Sequence, residues 1–144
     1  MQFLIYDRRS IERGIVVRTP YVLISIRDPD KPAVRPRKPA ALRDALFLAF
    51  HDAEPARSFP LPPEIRLMES HDAVKIWEFV QTYREKVGTI VCHCEQGMSR
   101  SPAAAIALAE ALGGDVEVIR ADSQPNEYVY RLMRDTIAQL SRGS

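Results

Sequence analysis

The sequence predicts an α/β fold in which a central, mostly parallel sheet of four to five strands is flanked by helices. Short, nearly continuous apolar runs alternate with longer segments of helical periodicity along the 144 residues. Strands that alternate with helices form parallel sheets with helices packed on both faces. The chain length and the 46% hydrophobic content fit one domain, residues 1–144, with a core of its own.

Four short apolar runs predict the strands. They span residues 2–7, 21–26, 45–50 and 89–93. Because each run is nearly continuous in apolar side chains, we expect strands that are covered on both faces. Between the first two runs, a polar segment at residues 10–13 predicts a single helical turn.

Three longer segments predict helices. The first has Ser70 as its N-cap and stops at Gly88. Its apolar face follows the three-four spacing of a helix at Ala73, Ile76, Trp77, Val80, Tyr83 and Val87. The second spans residues 100–112 and is rich in alanine and leucine. Asn126 opens the third, either as an N-cap alone or on a loop that also approaches the site described below. For residues 115–125 the sequence does not decide between a short helix and an irregular segment.

Composition and charge exclude several classes of function. A net charge of +1 gives no basis for general binding to nucleic acid or to membranes. No apolar run approaches the ~20 residues that span a bilayer. The opening residues do not resemble a secretory signal, and two cysteines do not make a disulfide framework, so we expect a cytoplasmic protein. A locally basic segment, residues 27–43, is interpreted as a solvated surface loop or as a basic rim that attracts anionic ligands.

Both cysteines lie in the stretch VCHCEQGMSRSP, residues 91–102. Three interpretations of the two cysteines stay open at this point. They form a disulfide or a metal site, they are two buried core residues, or one is a reactive thiol and the other is unreactive. Folds with parallel sheets bind ligands beyond the carboxyl ends of their strands. Cys94 falls at such a position, just past a predicted strand and just before a predicted helix.

The residues from Cys94 to Arg100 predict a cup-shaped loop that binds an oxyanion. The backbone N–H groups that converge on one point belong to Glu95, Gln96, Gly97, Met98, Ser99 and Arg100. A helix N-terminus adds roughly half a positive charge at that point. The Arg100 guanidinium offers a fork that matches two phosphate oxygens. A cation and a helix N-terminus also favour a thiolate, and the Ser101 hydroxyl is placed to donate toward it.

These residues resemble the His-Cys-x-x-Gly-x-x-Arg-Ser signature of the cysteine-dependent protein tyrosine and dual-specificity phosphatases. The match covers His93, Cys94, Gly97, Arg100 and Ser101. Residues 45–140 are similar in arrangement to compact bacterial members of the dual-specificity-like group. The resemblance implies a phosphatase-type fold with a phosphate-binding loop between strand and helix, and no cofactor. It also implies that the substrate is a phosphorylated protein or a small phosphomonoester.

The resemblance further implies a two-step reaction. Cys94 attacks phosphorus to form a phosphocysteine, while Arg100 and the loop amides bind the phosphoryl oxygens. His93 takes a supporting role, in which its hydrogen bonds orient the loop. An aspartic acid on a separate loop protonates the leaving oxygen and then activates water, which is typically worth ~10²–10⁴ in rate.

Asp52 is the predicted acid, because it directly follows the strand at residues 45–50. The 42 residues from Asp52 to Cys94 exceed the usual gap in small members of the family, and the excess is the proline-rich stretch at residues 56–65.

Three other carboxylates compete for the acid role. Asp72 is the first rival, although an acid near a helix N-terminus is favoured by the helix dipole without any catalytic role. Glu54 and Asp28 are the remaining alternatives.

Cys92 is interpreted as a small buried core residue, with a resolving thiol for oxidised Cys94 as the alternative. No metal is expected, because His51 and His71 lie apart from the cysteines and the spacing is not that of a zinc motif.

Two rival functions stay open beside the phosphatase. A rhodanese-like sulfurtransferase also uses a cysteine in a loop before a helix, but it has no need of Asp52. A non-catalytic phosphate-binding module would keep Arg100 and the loop without a competent acid.

Overall fold

The computed structural model describes residues 1–55 and 59–143. Nine elements follow one another in chain order: β1 (Gln2–Asp7), α1 (Arg8–Arg13), β2 (Tyr21–Arg27), β3 (Leu42–Ala49), α2 (Ser70–Tyr83), β4 (Thr89–Cys94), α3 (Arg100–Leu112), α4 (Val116–Ala121) and α5 (Glu127–Arg142). The four strands form one sheet in the order β1-β4-β2-β3, and every neighbouring pair is parallel. The predicted α/β class with a parallel sheet and flanking helices is confirmed.

Alternation along the central strands divides the core into two clusters, because neighbouring residues of a strand face opposite sides of the sheet. The larger cluster joins strand residues to four helices, for example Ile24, Ile76, Ile106, Ile119 and Met133. The smaller cluster on the other face is formed by Ile11, Tyr21, Leu23, Val34 and Val91. Helices α2, α3, α4 and α5 therefore cover one face, while α1 and the β2–β3 connection cover the other.

The position of each strand in the sheet decides how far it is buried. All six residues of β4 are buried, and six of the seven residues of β2 are buried. The expectation that β3 is covered on both faces is wrong, because β3 is an edge strand and Phe47 stays 47% exposed. The strand also begins earlier than predicted and ends one residue sooner, at Ala49.

The helix boundaries follow the sequence closely. Helix α3 has the predicted bounds, and Asn126 caps α5, its Oδ1 accepting the Val129 N–H at 3.0 Å. The open segment before it contains the short helix α4. In α2, Glu69 rather than Ser70 is the N-cap, and the regular helix ends at Tyr83. Among the described residues, no helix has the length and apolar character required to cross a membrane.

The basic segment at residues 27–43 is not simply a solvated loop. Val34 within it is 3% exposed and packs under the second face of the sheet. Near the carboxyl ends of the strands, the Lys31 ammonium lies 3.6 Å from an Asp28 carboxylate oxygen and 3.8 Å from a Glu95 oxygen. Lys31 is therefore already paired with acids, whereas Arg35, Arg37, Lys38 and Arg43 are exposed, so the basic rim stays a prediction.

Candidate active site

The loop between Cys94 and Arg100 forms a cradle at the carboxyl edge of the sheet. Cys94 ends β4 and Arg100 begins α3, so five residues connect a central strand to a helix N-terminus. Gly97 has φ +71°, and a Cβ there would lie 2.9 Å from the Tyr6 carbonyl oxygen. A side chain at this position would combine a strained backbone with a backbone clash, which explains the glycine.

Hydrogen bonds on the outer side of the cradle turn its amides inward. The carbonyl of Glu95 accepts the Arg8 N–H at 3.1 Å, that of Met98 accepts the Gln124 N–H at 2.9 Å, and that of Ser99 accepts the Asn126 N–H at 3.1 Å. In a planar trans peptide the C=O and the following N–H point in opposite directions. The next amide after each of these carbonyls therefore points away from the outer partners and toward the inside of the cradle.

Arg100 is held rigidly although it is a long cation. Its Nη1 donates to an Asp28 carboxylate oxygen and to the Phe50 carbonyl oxygen, each at 2.7 Å. The residue is 4% exposed, and its Nε is buried without a hydrogen-bond partner among the described residues. A buried N–H without an acceptor is unfavourable by about 1–3 kcal/mol, and an anion in the cradle is the natural acceptor.

The two candidate reacting groups lie at one cavity of about 350 Å³. Its lining residues are Asp28, His51, Asp52, Ala53, Ile65, Cys94, Gln96, Met98, Ser99 and Arg100. The fold thus places Asp52 on the same cavity as Cys94 and Arg100, as the position of Asp52 just after β3 led us to expect. Of the predicted phosphate-binding residues, Gln96, Met98, Ser99 and Arg100 line the cavity, whereas Glu95 and Gly97 are absent from this set.

Asp52 itself is exposed but hydrogen-bonded. Its Oδ1 accepts the Ser99 hydroxyl at 2.8 Å and the Asn126 Nδ2 at 2.9 Å. The proline-rich stretch predicted to lengthen this connection begins outside the described part of the chain, at residues 56–58. Farther along the same stretch, Ile65 returns to line the cavity.

The three rival acids occupy different environments. Asp72 is buried in the first turn of α2, accepts the Glu69 N–H at 2.8 Å and is not among the residues that line the cavity beside Cys94. Glu54 accepts the Tyr128 N–H at 3.3 Å. Asp28 does line the cavity, but its carboxylate already accepts a hydrogen bond from the Arg100 Nη1 at 2.7 Å.

His93 is fully buried beneath the cradle. Its Nδ1 lies 3.1 Å from the Cys94 carbonyl oxygen, and its Nε2 lies 2.6 Å from the Ser25 hydroxyl. Burial lowers the pKa of His93, so the ring is neutral. Since a carbonyl only accepts, we assign the proton to Nδ1, and Nε2 then accepts from Ser25.

The two cysteines differ sharply in surroundings. The Cys94 Sγ lies 3.2 Å from the Ser101 Oγ at the floor of the cavity. Cys92 is fully buried in the larger apolar cluster, where burial raises the pKa of its thiol to about 12. A thiol held in the protonated form is a poor nucleophile, so the structure favours the core interpretation of Cys92.

Three contributors to this site were not identified from the sequence as partners of the motif: Ser25, Asp28, and Glu95 through its side chain. For Asn126 the sequence left open a cap alone or a loop that also approaches the site, and in the structure the residue both caps α5 and contacts Asp52. The Glu95 carboxylate accepts from Arg8 at 3.3 Å and from the Asp28 N–H at 3.3 Å, which ties the β2–β3 connection to the cradle. Asp28 carried the same signal as Asp52, an acid directly after a strand. Ser25 is a lone polar residue in the otherwise apolar run at residues 21–26, a signal that could have identified it.

Several solved structures of other proteins have a fold similar to that of this chain. No protein-family model and no curated protein matches the chain. Among solved structures, human DUSP28 matches with a TM-score of 0.64 and 14% identity over 99% of this chain and 95% of that one. A mouse protein described as a candidate dual-specificity phosphatase, in complex with zinc tungstate, matches with a TM-score of 0.66 and 17% identity, covering 98% and 85%.

A third structure, the human tyrosine phosphatase-like serine/threonine/tyrosine-interacting protein, matches with a TM-score of 0.56 and 20% identity, covering 85% of this chain and 79% of that one. The chain therefore has the dual-specificity phosphatase fold, which confirms the predicted phosphatase-type architecture. These structures are human and mouse proteins, so the likeness to bacterial members stays a prediction.

Proposed function

We propose that the chain is a cysteine-dependent phosphomonoester hydrolase with Cys94 as nucleophile, Arg100 as phosphate ligand and Asp52 as general acid and base. The observation that carries the proposal is the gathering of all three side chains on one cavity, although 42 residues separate Asp52 from Cys94. Residues 1–144 act as one domain in this proposal, because both apolar clusters pack on the same sheet.

Binding of the phosphoryl group rests on three groups of the cradle. The inward amides face the anion, the N-terminus of the 13-residue helix α3 adds its positive dipole end, and the Arg100 Nε gains the acceptor that it lacks. His93 supports this geometry from below through its bond to the Cys94 carbonyl. These groups also stabilise negative charge as it spreads over the phosphoryl oxygens in the transition state.

The first step transfers the phosphoryl group to sulfur. The Cys94 thiolate attacks phosphorus, a sulfur–phosphorus bond forms, and the bond from phosphorus to the leaving oxygen breaks. Asp52 delivers its proton to that oxygen, so the product leaves as a neutral alcohol or phenol.

The second step releases phosphate. The Asp52 carboxylate takes a proton from water as the water oxygen attacks phosphorus, and the sulfur–phosphorus bond breaks. Inorganic phosphate departs and the Cys94 thiolate is restored, with Ser101 donating to the departing sulfur. A free thiol nucleophile functions best in a reducing compartment, so we place the protein in the cytoplasm.

The cavity lining favours a substrate with one phosphate on an uncharged carrier. Asp28 and Asp52 both line the cavity, and none of the loop side chains from Glu95 to Ser99 is a cation. Among the described residues that line the cavity, Arg100 is the only Lys or Arg, so a second phosphate would meet these carboxylates without a further counter-charge from that set. The apolar wall formed by Ala53, Ile65 and Met98 suits an aryl carrier such as phosphotyrosine better than a phosphoinositide.

A non-catalytic phosphate-binding module is the second candidate. One observation favours it, namely the match to the human tyrosine phosphatase-like serine/threonine/tyrosine-interacting protein. The three solved structures reported above give the sulfurtransferase alternative no such support.

Turnover separates these candidates. We expect the wild-type chain to hydrolyse p-nitrophenyl phosphate in the presence of a metal chelator, and Cys94→Ser to lose hydrolysis while retaining vanadate binding. Binding of vanadate by the wild type without turnover would support the second candidate instead. Assay of a phosphotyrosine peptide beside a polyphosphorylated inositol tests the substrate class.

A further inference from the structure

The predicted acid lies on an irregular loop, and a proton donor must be held in place to act. Asp52 is exposed and lies three residues after the end of β3, so the residue itself belongs to no helix or strand. Misplacement of a catalytic group by as little as ~1 Å reduces rates by about 10²-fold. The residues that hold the carboxylate therefore matter as much as its presence.

The Asn126 side chain supplies two hydrogen bonds to this loop. Its Nδ2 donates to the Asp52 Oδ1 at 2.9 Å and to the Ala53 carbonyl oxygen at 3.2 Å. Its Oδ1 accepts the Val129 N–H at 3.0 Å in the first turn of α5. Because the helix N–H requires an oxygen at that position, the amide has one orientation, with its NH₂ group toward the acid loop.

The backbone of Asn126 connects the same residue to the cradle. Its N–H donates to the Ser99 carbonyl oxygen at 3.1 Å, and the Ser99 hydroxyl donates to the Asp52 Oδ1 at 2.8 Å. Asn126 is 6% exposed, so water competes little for these bonds. The start of α5 thus fixes the acid relative to the loop that binds phosphate.

We propose that Asn126 is a positioning residue that holds Asp52 for proton transfer, an inference that rests on the proposed function. Both donors meet Oδ1, which accepts as a carbonyl oxygen when the acid is protonated. Oδ2 is then the atom that carries the proton and delivers it to the leaving oxygen. In the second step the same arrangement directs Oδ2 toward the attacking water.

The simpler interpretation of Asn126 is a helix cap alone. Two variants separate the roles, since serine and aspartate are both good N-caps but neither supplies the amide donor to Asp52. Asn126→Ser removes the donor, and Asn126→Asp places a like charge beside Asp52. Asp115→Ala is the matched control, because it removes the cap of α4, where the Asp115 carboxylate accepts the Val118 N–H at 3.3 Å.

The test compares kcat/KM for phenyl phosphate and for 2,4-dinitrophenyl phosphate. Phenol resembles the tyrosine side chain, with a pKa of about 10, and needs a proton on leaving, whereas dinitrophenolate is stable as an anion. kcat/KM reports the steps through formation of the phosphocysteine, where the acid acts. We expect Asn126→Ser and Asn126→Asp to lower kcat/KM by about 10- to 100-fold for phenyl phosphate and by less than about threefold for dinitrophenyl phosphate.

Two further results are expected. Asp52→Ala shows the same dependence on the leaving group, and Asn126→Ser adds little further loss when combined with it, because both changes disable one function. Asp115→Ala leaves both substrates within about twofold of wild type, as expected for a cap with no link to the acid.

Equal losses on both substrates, or no loss, would overturn the positioning role while leaving the hydrolase intact. The positioning role would also be overturned if the fold-losses in kcat/KM from Asp52→Ala and Asn126→Ser multiplied fully in the double variant. A wild-type chain that hydrolyses neither ester would overturn the proposed function, and this inference with it.

Discussion

The guanidinium of Arg100 donates a 2.7 Å hydrogen bond to the carboxylate of Asp28, which directly follows the neighbouring strand β2. The pair joins two loops that emerge from adjacent strands at the carboxyl edge of the sheet. It leaves Nη1 committed to the protein and Nε without an acceptor in the described part of the chain. Asp28 therefore sets the direction in which Arg100 presents its remaining donors.

Asp28→Ala tests this relationship. A hydrogen bond to a charged group contributes about 1.5–3 kcal/mol, so its loss should lower kcat/KM for an aryl phosphate by roughly 10- to 100-fold. The inhibition constant of vanadate should rise in parallel, because the same guanidinium binds both anions. Asp135→Ala, at an exposed carboxylate on α5, is the control. Unchanged vanadate inhibition in Asp28→Ala would contradict the proposed role.

Gly97→Ala tests the shape of the cradle. The change meets both a positive φ and a Cβ contact of 2.9 Å with the Tyr6 carbonyl oxygen. Gly113 also has a positive φ, +84°, but has open space around it, so Gly113→Ala isolates the backbone strain of roughly 1–2 kcal/mol. We expect Gly97→Ala to reduce the free energy of unfolding by more than Gly113→Ala in urea titrations. Vanadate binding should weaken in Gly97→Ala alone.

His93 should make stability depend on pH. Burial lowers the pKa of His93 below the ordinary value of 6.5 in the folded state. Between the folded pKa and 6.5, the unfolded chain binds more protons than the folded one, so the free energy of unfolding rises with pH there and levels off above 6.5. Urea titrations at pH 5.5 and 7.5 should show this rise in wild type and a smaller one in His93→Gln. An equal rise in both proteins would assign the effect to other groups.

Local sequence was sufficient to predict the cradle, because the residues from Cys94 to Ser101 are contiguous. The strand before them and the helix that follows can each be predicted from their own residues. The bounds of α3 and the cap of α5 were predicted for the same reason. In each case the partners are close in sequence, seven residues apart for Cys94 and Ser101 and three for Asn126 and Val129.

Partnerships across the sheet were beyond the reach of the sequence. Whether Asp28 meets Arg100 depends on β2 lying beside β4, and the contact between Ser25 and His93 depends on the register of those strands. The exposure of Phe47 likewise follows from the edge position of β3, which an apolar run does not reveal. For Asn126 the sequence left open whether its loop also approaches the site, and it did not identify the partner of the amide, Asp52, which lies 74 positions away.

The most direct test of the central claim is acid quenching during turnover of an aryl phosphate, followed by mass spectrometry of the peptide that contains both cysteines. We predict one phosphoryl group on Cys94 in the wild type and in Cys92→Ala, which should also retain turnover. Cys94→Ser should show no phosphocysteine and no turnover. Turnover in Cys94→Ser, or a phosphoryl group on Cys92, would contradict the proposed mechanism.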